Sequence, residues 1–411
     1  MADTLYFEKC PFMNFEELLV SASPDQIYER AGSLFEFHEK VKDPDGPARA
    51  GIEYLFTLYQ SAYYRHAAVP DMIIDSDDPW GEALLKSYNR ERHCHVAASA
   101  VVRISDAVIH DSTIHCYSGE AHFILYETVR FPDRAAKLMR LPARETVTRL
   151  GDDDRVYLYV GSAGSFNYGH WLVDDLPRVK AWLDLREKLG VTCVILLPSH
   201  GEVMDTIRLQ SMRTLVDPTI KAKFINPKKS IGVRNLYFAT PVTFHPRIKN
   251  PSAIHFVQSS AAARFAADQA EPHRKLFVAR RPPNSRAIAN FDALWSFLSD
   301  RGFEMIEPEK YAFADQVMMF QEARIVVGQM GAAMTGTMFC RPATNILYLA
   351  PIGWAEPFYL DLAAVAGQQY DILAGPTTGE GQEAYLSDFI VPLEPLYHRL
   401  SYMGYGGVKP L

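Results

Sequence analysis

The stretch from Leu276 to Pro351 sets the terms on which the rest of the chain can fold. Its centre, Ala323-Arg324-Ile325-Val326-Val327-Gly328-Gln329-Met330-Gly331-Ala332-Ala333-Met334-Thr335, is a β-branched run that breaks at glycine and continues in small residues. Ile325 to Val327 suits a strand covered on both faces, and the small residues after Gly328 suit a helix start. The first N–H groups of a helix lack an intrahelical acceptor and sit at the positive end of its dipole, so such a turn suits a phosphate. Gly328 and Gly331 let another molecule come close to the backbone. Upstream, the apolar Leu276-Phe277-Val278-Ala279 runs into Arg280-Arg281-Pro282-Pro283-Asn284-Ser285-Arg286. Guanidinium groups on a loop after a strand can grip the phosphate that a neighbouring glycine turn receives. A strand–glycine–helix turn also recurs in every doubly wound sheet, and surface arginines are commonly only solvated. The two features therefore count together rather than singly.

The remaining strands and helices alternate. Val191 to Leu197 is a continuous apolar strand, Met204 to Leu215 a helix and Leu236 to Ala239 a strand, which is the grammar of one Rossmann-like half. A helix at 252–267, the strand at Leu276, a helix at 292–301, a strand at 304–306, a helix at 314–323 and the strands at Ile325 and Ile346 make a second half. The expected class is α/β. Its expected parts are a helical N-terminal extension (1–90), a Rossmann-like domain with a short β-rich segment (91–250), a second Rossmann-like domain (251–375), and a tail (376–411) packing back on the first half. In the extension, Ser23-Pro24-Asp25 reads as a helix start, and Ile52, Leu55, Phe56 and Tyr59 fall on one face of a second helix. Two such helices form a hairpin that suits self-association or a partner.

With 48% hydrophobic residues in 411, the chain can bury large cores, and a net charge of −7 disfavours nucleic acid as a partner. There is no basic-then-apolar leader and no run approaching eighteen apolar residues, so the expectation is a soluble, cytoplasmic protein without a transmembrane segment. Five cysteines at 10, 94, 116, 193 and 340 form no Cys-x-x-Cys pair and read as reduced, packed thiols. His93, His95, His110, His115 and His122 crowd the β-rich segment with Cys94 and Cys116, yet no spacing among them matches a ligand pattern. The Asp152-Asp153-Asp154 run, which contains an Asp-x-Asp, reads as a turn before the strand at 155–160. No metal and no cofactor are expected.

Gly161 to Asn167 is a permissive loop ending in a helix cap, and His170 and Asp174 then share a face four residues apart. Such a pair can do acid/base work, and it is equally a common helix contact. Pro177 ends or kinks the helix.

Two ordered blocks resemble glycosyltransferase family 61. One is Asn167-Tyr168-Gly169-His170-Trp171-Leu172-Val173-Asp174-Asp175-Leu176-Pro177-Arg178. The other runs from Arg280-Arg281 and Arg286-Ala287-Ile288-Ala289-Asn290 through Val326-Val327-Gly328 to Gly331-Ala332-Ala333-Met334-Thr335. The resemblance spans roughly Gly161 to Gly367. It implies a GT-B fold, two Rossmann-like domains facing a cleft, and an inverting transfer without metal from a nucleoside diphosphate sugar, taken to be UDP-linked, to a glycan hydroxyl. Carried onto this chain, it implies donor contacts at Arg280, Arg281, Arg286, Gly328, Met330, Gly331, Ala332 and Thr335. Asp174 becomes the base with His170 orienting or sharing that role, and Asn167, Tyr168 and Gly169 line the acceptor side. The family usually has histidine where this chain has Met330, and a thioether cannot donate to a phosphate oxygen. That departure keeps open a catalytically inactive nucleotide- or glycan-binding protein. A Rossmann-type oxidoreductase is disfavoured, because no Gly-x-Gly-x-x-Gly follows an early strand with an acidic residue beyond it.

Overall fold

Why the strands sit where they do is clearest in the second half of the chain. A computed structural model describes residues 19–21, 51–66, 79–90, 92–118, 121–125, 128, 147–150, 155–162, 164–244, 248–265, 271–280, 286–378 and 383–403. It divides into two units, Met1–Ala62 with Ala97–Val242, and Tyr63–Val96 with Thr243–Leu411.

In the second unit the apolar runs become five parallel strands, in the spatial order Glu304–Ile306, Arg274–Val278, Ala323–Gln329, Asn345–Pro351, Gln369–Gly375. Counted along the chain this is the order 2-1-3-4-5, so the winding reverses between the first and third strands, where open α/β sheets bind ligands at their carboxyl ends. Phe277, Val327, Leu347 and Leu349, in the apolar middles of these strands, are wholly buried, as unbroken apolar runs anticipate. The described part of the tail, expected to pack back on the first half, belongs to the second unit. Phe389, Val391, Leu396 and Leu400 complete the second unit's own core, and the Asn290 side chain clamps Val391 through both backbone groups (2.9 and 2.8 Å).

Among the described residues the first unit is built on a ten-stranded mixed sheet. Val156–Tyr159, Cys193–Pro198, Ala222–Ile225 and Ile231–Ala239 are its parallel part, and Val156–Tyr159 lies between Cys193–Pro198 and Ile231–Ala239. Ser99–His110, Thr113–Ser118 and Ala121–Leu125 continue it as an antiparallel meander, confirming the short β-runs read in the sequence. The helices Lys180–Leu189 and Glu202–Leu215 connect the parallel strands.

The helix expected over Ile52, Leu55, Phe56 and Tyr59 is instead the strand Ile52–Tyr59, paired antiparallel with Ser99–His110. Its register shifts between Tyr54 and Phe56 and again between Thr57 and Tyr59. Each bulge inserts a residue and breaks the two-residue alternation, so the apolar positions take on helix-like spacing. The other expected helix, from Ile27 to His38, lies outside the described residues. Pro79–Arg90 is helical.

Candidate active site

Arg280 and Gly331 each lie two residues beyond the end of one of the two strands between which the second unit's winding reverses. A Cβ placed on Gly331 would lie 3.0 Å from Arg280 Nη1 and 3.7 Å from Arg286 Nη2, so both guanidinium groups stand over this turn. Neither arginine forms an ion pair among the described residues. Burial lowers the pKa of both from the ordinary arginine value, and for Arg286 the charge on Arg280 adds to the effect. Glu309 near Arg280 and Glu356 near Arg286 pull the other way without forming an ion pair, so two half-buried cations stand together with charge to spare, an arrangement that suits an anion.

Arg286 is fixed in place at some cost. Its φ of 62° lies in the left-handed region, a conformation that costs an L-residue about 1–2 kcal/mol. Its carbonyl accepts from Gln329 Nε2, its Nη1 donates to the Tyr385 carbonyl (2.7 Å), and its guanidinium stacks 4.4 Å from the centre of the Trp354 ring. Backbone strain held by surrounding contacts is typical of ligand clamps.

The remaining donor-side residues separate by burial. After Gly331 the chain forms a 3₁₀ helix, Ala332–Phe339, rather than the α-helix read from its small residues. Gly336 packs against the Phe320 ring, where a side chain would clash, and the tighter turn fits that contact. Ala332 is half-buried beside the turn. Gly328, read as a place of close approach for a ligand, is approached instead by Met334 Sδ and by Val278 of the neighbouring strand. Thr335 is fully buried. Met330 is wholly inside as well, its N–H bonded to the Leu349 carbonyl (2.9 Å) and its Sδ accepting from the Glu356 N–H (3.2 Å). Gly328, Met330 and Thr335 therefore shape the turn from within. Arg281 lies outside the described residues.

In the first unit, Asn167 caps the turn Tyr168–His170, its Oδ1 accepting from the Gly169 N–H (2.8 Å). The chain then widens into a π-helix, Trp171–Asp175, before a 3₁₀ turn at Pro177, the kink its proline implies. His170 Nδ1 lies 2.9 Å from Asp174 Oδ2, with side-chain exposures of 19% and 10%. Asp175 is buried completely. It accepts from Ser165 Oγ (2.6 Å) and Arg178 Nη1 (3.0 Å), and Arg178 reaches on to the Ala239 carbonyl (2.8 Å). Burial raises the Asp175 pKa, against the opposing pull of Arg178 and Ser165. Adjacent aspartates thus do different things: Asp175 anchors the turn to the sheet, and Asp174 holds the imidazole. Gly169 is buried, Tyr168 is half-buried, and Asn167 is engaged as the cap.

Among the described histidines of the β-rich segment only His110 and His115 come together, ring edge to face at 6.2 Å, and no carboxylate or thiol joins them in a ligand cluster. His93 is exposed, His95 stacks on Tyr63 (4.3 Å), and His110 bonds Ser230 (2.9 Å). The side chain of His122 lies outside the described residues, as do Asp152 and Asp154. What does gather, unread in the sequence, is His66, Cys94 and Asp361, buried in the second unit with ligand atoms within 4.8 Å. Asp361 there accepts from Tyr64 (2.6 Å) and Lys249 (3.1 Å) and lies 2.8 Å from His66 Nε2, while burial pushes the Cys94 thiol up to about 11. Lys249 already balances the carboxylate, and the thiol keeps its proton, so the cluster is complete as a hydrogen-bonded network.

Residues 168–347 match the family described as Glycosyltransferase 61, a span that takes in both the His170–Asp174 turn and the Arg280, Arg286 and Gly331 cluster. This stretch is a glycosyltransferase family 61 domain. The chain is accordingly a transferase. No curated protein matches it. Among solved structures, an iron-containing dodecameric glycosyltransferase, TibC, from enterotoxigenic E. coli H10407 is similar at 9% identity over 70% of this chain and 83% of that one, with a TM-score of 0.27. A TibC heptosyltransferase in complex with ADP-D-beta-D-heptose is similar at 10% identity over 58% and 68%, with a TM-score of 0.26. At these scores neither likeness bears on the site of the family 61 domain. No helix among the described residues is long and apolar enough to cross a membrane.

Proposed function

We propose that the protein is an inverting GT-B glycosyltransferase that moves a sugar from a UDP-linked donor to a glycan hydroxyl without a metal. The observation that carries this is the pair of half-buried arginines, neither in an ion pair among the described residues, over Gly331 at the second unit's winding reversal. Breaking the bond at the anomeric carbon leaves negative charge on the diphosphate. Fixed guanidinium groups and the open N–H groups of the 3₁₀ turn stabilise that charge as it develops, in the role a divalent cation plays elsewhere.

Inversion follows from one displacement, with the acceptor oxygen attacking opposite the diphosphate. That oxygen must lose its proton. The contact between His170 Nδ1 and Asp174 supports a change in the roles expected from sequence: Asp174 orients and stabilises the imidazole, and His170 Nε2 takes the proton. The second unit is then the donor domain and the first unit the acceptor domain. The four described cysteines are free and buried, which fits a reducing compartment and so the cytoplasm.

A thermal-shift screen against nucleotide sugars tests the reading, since a ligand that binds only the folded state raises the melting temperature. Stabilisation by UDP or a UDP-sugar is expected, and its absence across the panel contradicts the reading. Met330 favours a second reading, a nucleotide-binding protein without turnover. Release of nucleoside diphosphate from the stabilising donor separates the two.

A further inference from the structure

The amino ends of three adjacent parallel strands in the first unit frame a cleft of about 610 Å³, a size that suits a small organic ligand. The strands are Val156–Tyr159, Cys193–Pro198 and Ala222–Ile225, with Cys193 beside Val156 and Ile195 beside Ala222. Arg155, Thr192 and Lys221 each stand one residue ahead of one of these strands, so strand pairing brings all three to one edge of the sheet. The His170–Asp174 turn follows the carboxyl end of Val156–Tyr159, so the cleft lies at the other end of the sheet from it.

The helix Lys180–Leu189 closes one side. Trp182 and Arg186 share a face of it, four residues apart. Trp182 Nε1 donates to the Cys193 carbonyl (2.8 Å), and the Arg186 guanidinium lies 4.5 Å from the centre of the Trp182 ring. Asp217 accepts from Arg186 Nη1 (3.1 Å) and from the Thr219 N–H (2.8 Å), which ties the helix end to the loop entering the third strand. Arg186 is therefore held in place at the rim.

Charge decides what such a cleft takes. Arg155, Arg186 and Lys221 line it, and no carboxylate does so among the described residues, on a chain whose net charge is −7. A basic residue in the last turn of a helix complements the helix dipole, which accounts for Arg186 alone. Arg155 and Lys221 precede strands, where no helix end calls for them. Three cations and the Thr192 hydroxyl suit a phosphate monoester, with a charge of about −1.5 to −2 and three acceptor oxygens, better than a carboxylate with a single charge. Trp182 and Val194 give the cleft an apolar side for the rest of such a molecule. We propose that this cleft is a second ligand site, distinct from the His170–Asp174 turn, which binds a small organic phosphate by its phosphate group. The proposal does not depend on the glycosyltransferase reading.

The test is calorimetric titration of the full chain with glucose 6-phosphate, glycerol 3-phosphate and AMP, with glucose and glucuronate as controls. Arg280 and Arg286 also suit a phosphate, so the titrations are made in a protein carrying Arg280→Ala and Arg286→Ala. At least one of the three esters should bind that protein saturably. Adding Lys221→Ala should weaken the binding about tenfold or more, and Lys221→Arg should keep it. The same two Lys221 variants in the otherwise wild-type chain give a second comparison, in which UDP affinity should not change. Absence of binding by all three esters overturns the site, and so does equal affinity with and without Lys221→Ala. Glucuronate bound as tightly as glucose 6-phosphate also overturns it, because the cleft would then read a carboxylate rather than a phosphate.

Discussion

Arg286 shows how much one residue is made to do. It takes a left-handed backbone, lies on Trp354, bonds Tyr385 and shares the Gly331 turn with a second cation. Replacing it with alanine should weaken binding of a nucleoside diphosphate by about 1.5–3 kcal/mol, the worth of a charge-assisted hydrogen bond, as read by calorimetry. His170 and Asp174 make a separate claim. Asp174→Asn keeps the shape and loses the charge that supports the imidazole, so transfer should fall about 10²–10⁴-fold with donor affinity and melting temperature nearly intact. A change in stability alone would make the pair a helix contact and nothing more. Both arginines and both pair members were legible in the sequence, because charge beside a glycine turn and a spacing of four are local signals. The burial of Gly328, Met330 and Thr335 was not, since it depends on Val278 and Leu349 from other strands.

The π-helix at Trp171–Asp175 carries both Asp174 and Asp175. Such turns recur at functional sites, and here the neighbours decide the roles: Arg178 and Ser165 hold Asp175, and His170 meets Asp174. Arg178→Met would leave the Asp175 carboxylate buried and unpaired, which should cost about 3–5 kcal/mol in denaturant unfolding. The loop carrying His200 gives a pH signature. Its pKa in the fold lies below the usual 6.5, so its contribution is present above that value and is lost as pH falls through the folded pKa. Between about pH 7.5 and about pH 5 the wild type should therefore lose more melting temperature than His200→Gln. Equal losses would place the acid sensitivity elsewhere. The strand Ile52–Tyr59 marks the limit of local reading. Its two bulges gave it a helical spacing, and only its pairing with Ser99–His110 decides the matter. The parallel strands were legible because a strand covered on both faces needs an unbroken apolar run.

For the whole molecule, the informative fact is the strand order 2-1-3-4-5 in the second unit, which brings Arg280 and the Gly331 turn to one edge from segments far apart in sequence. No window of sequence contains that order, so the alternation of strands and helices gave the class while the position of the reversal came from the fold. If these arginines supply the positive charge a metal would otherwise provide, turnover should survive EDTA. Its loss, with rescue by manganese, would redirect attention to His66, Cys94 and Asp361. The central claim is that this edge holds the donor diphosphate. It is tested most directly by calorimetric titration of UDP, in EDTA, into the wild type and into a protein carrying both Arg280→Ala and Arg286→Ala. The account predicts saturable binding by the wild type and none measurable by the double variant while it still melts cooperatively, whereas equal affinity in the two proteins would contradict it.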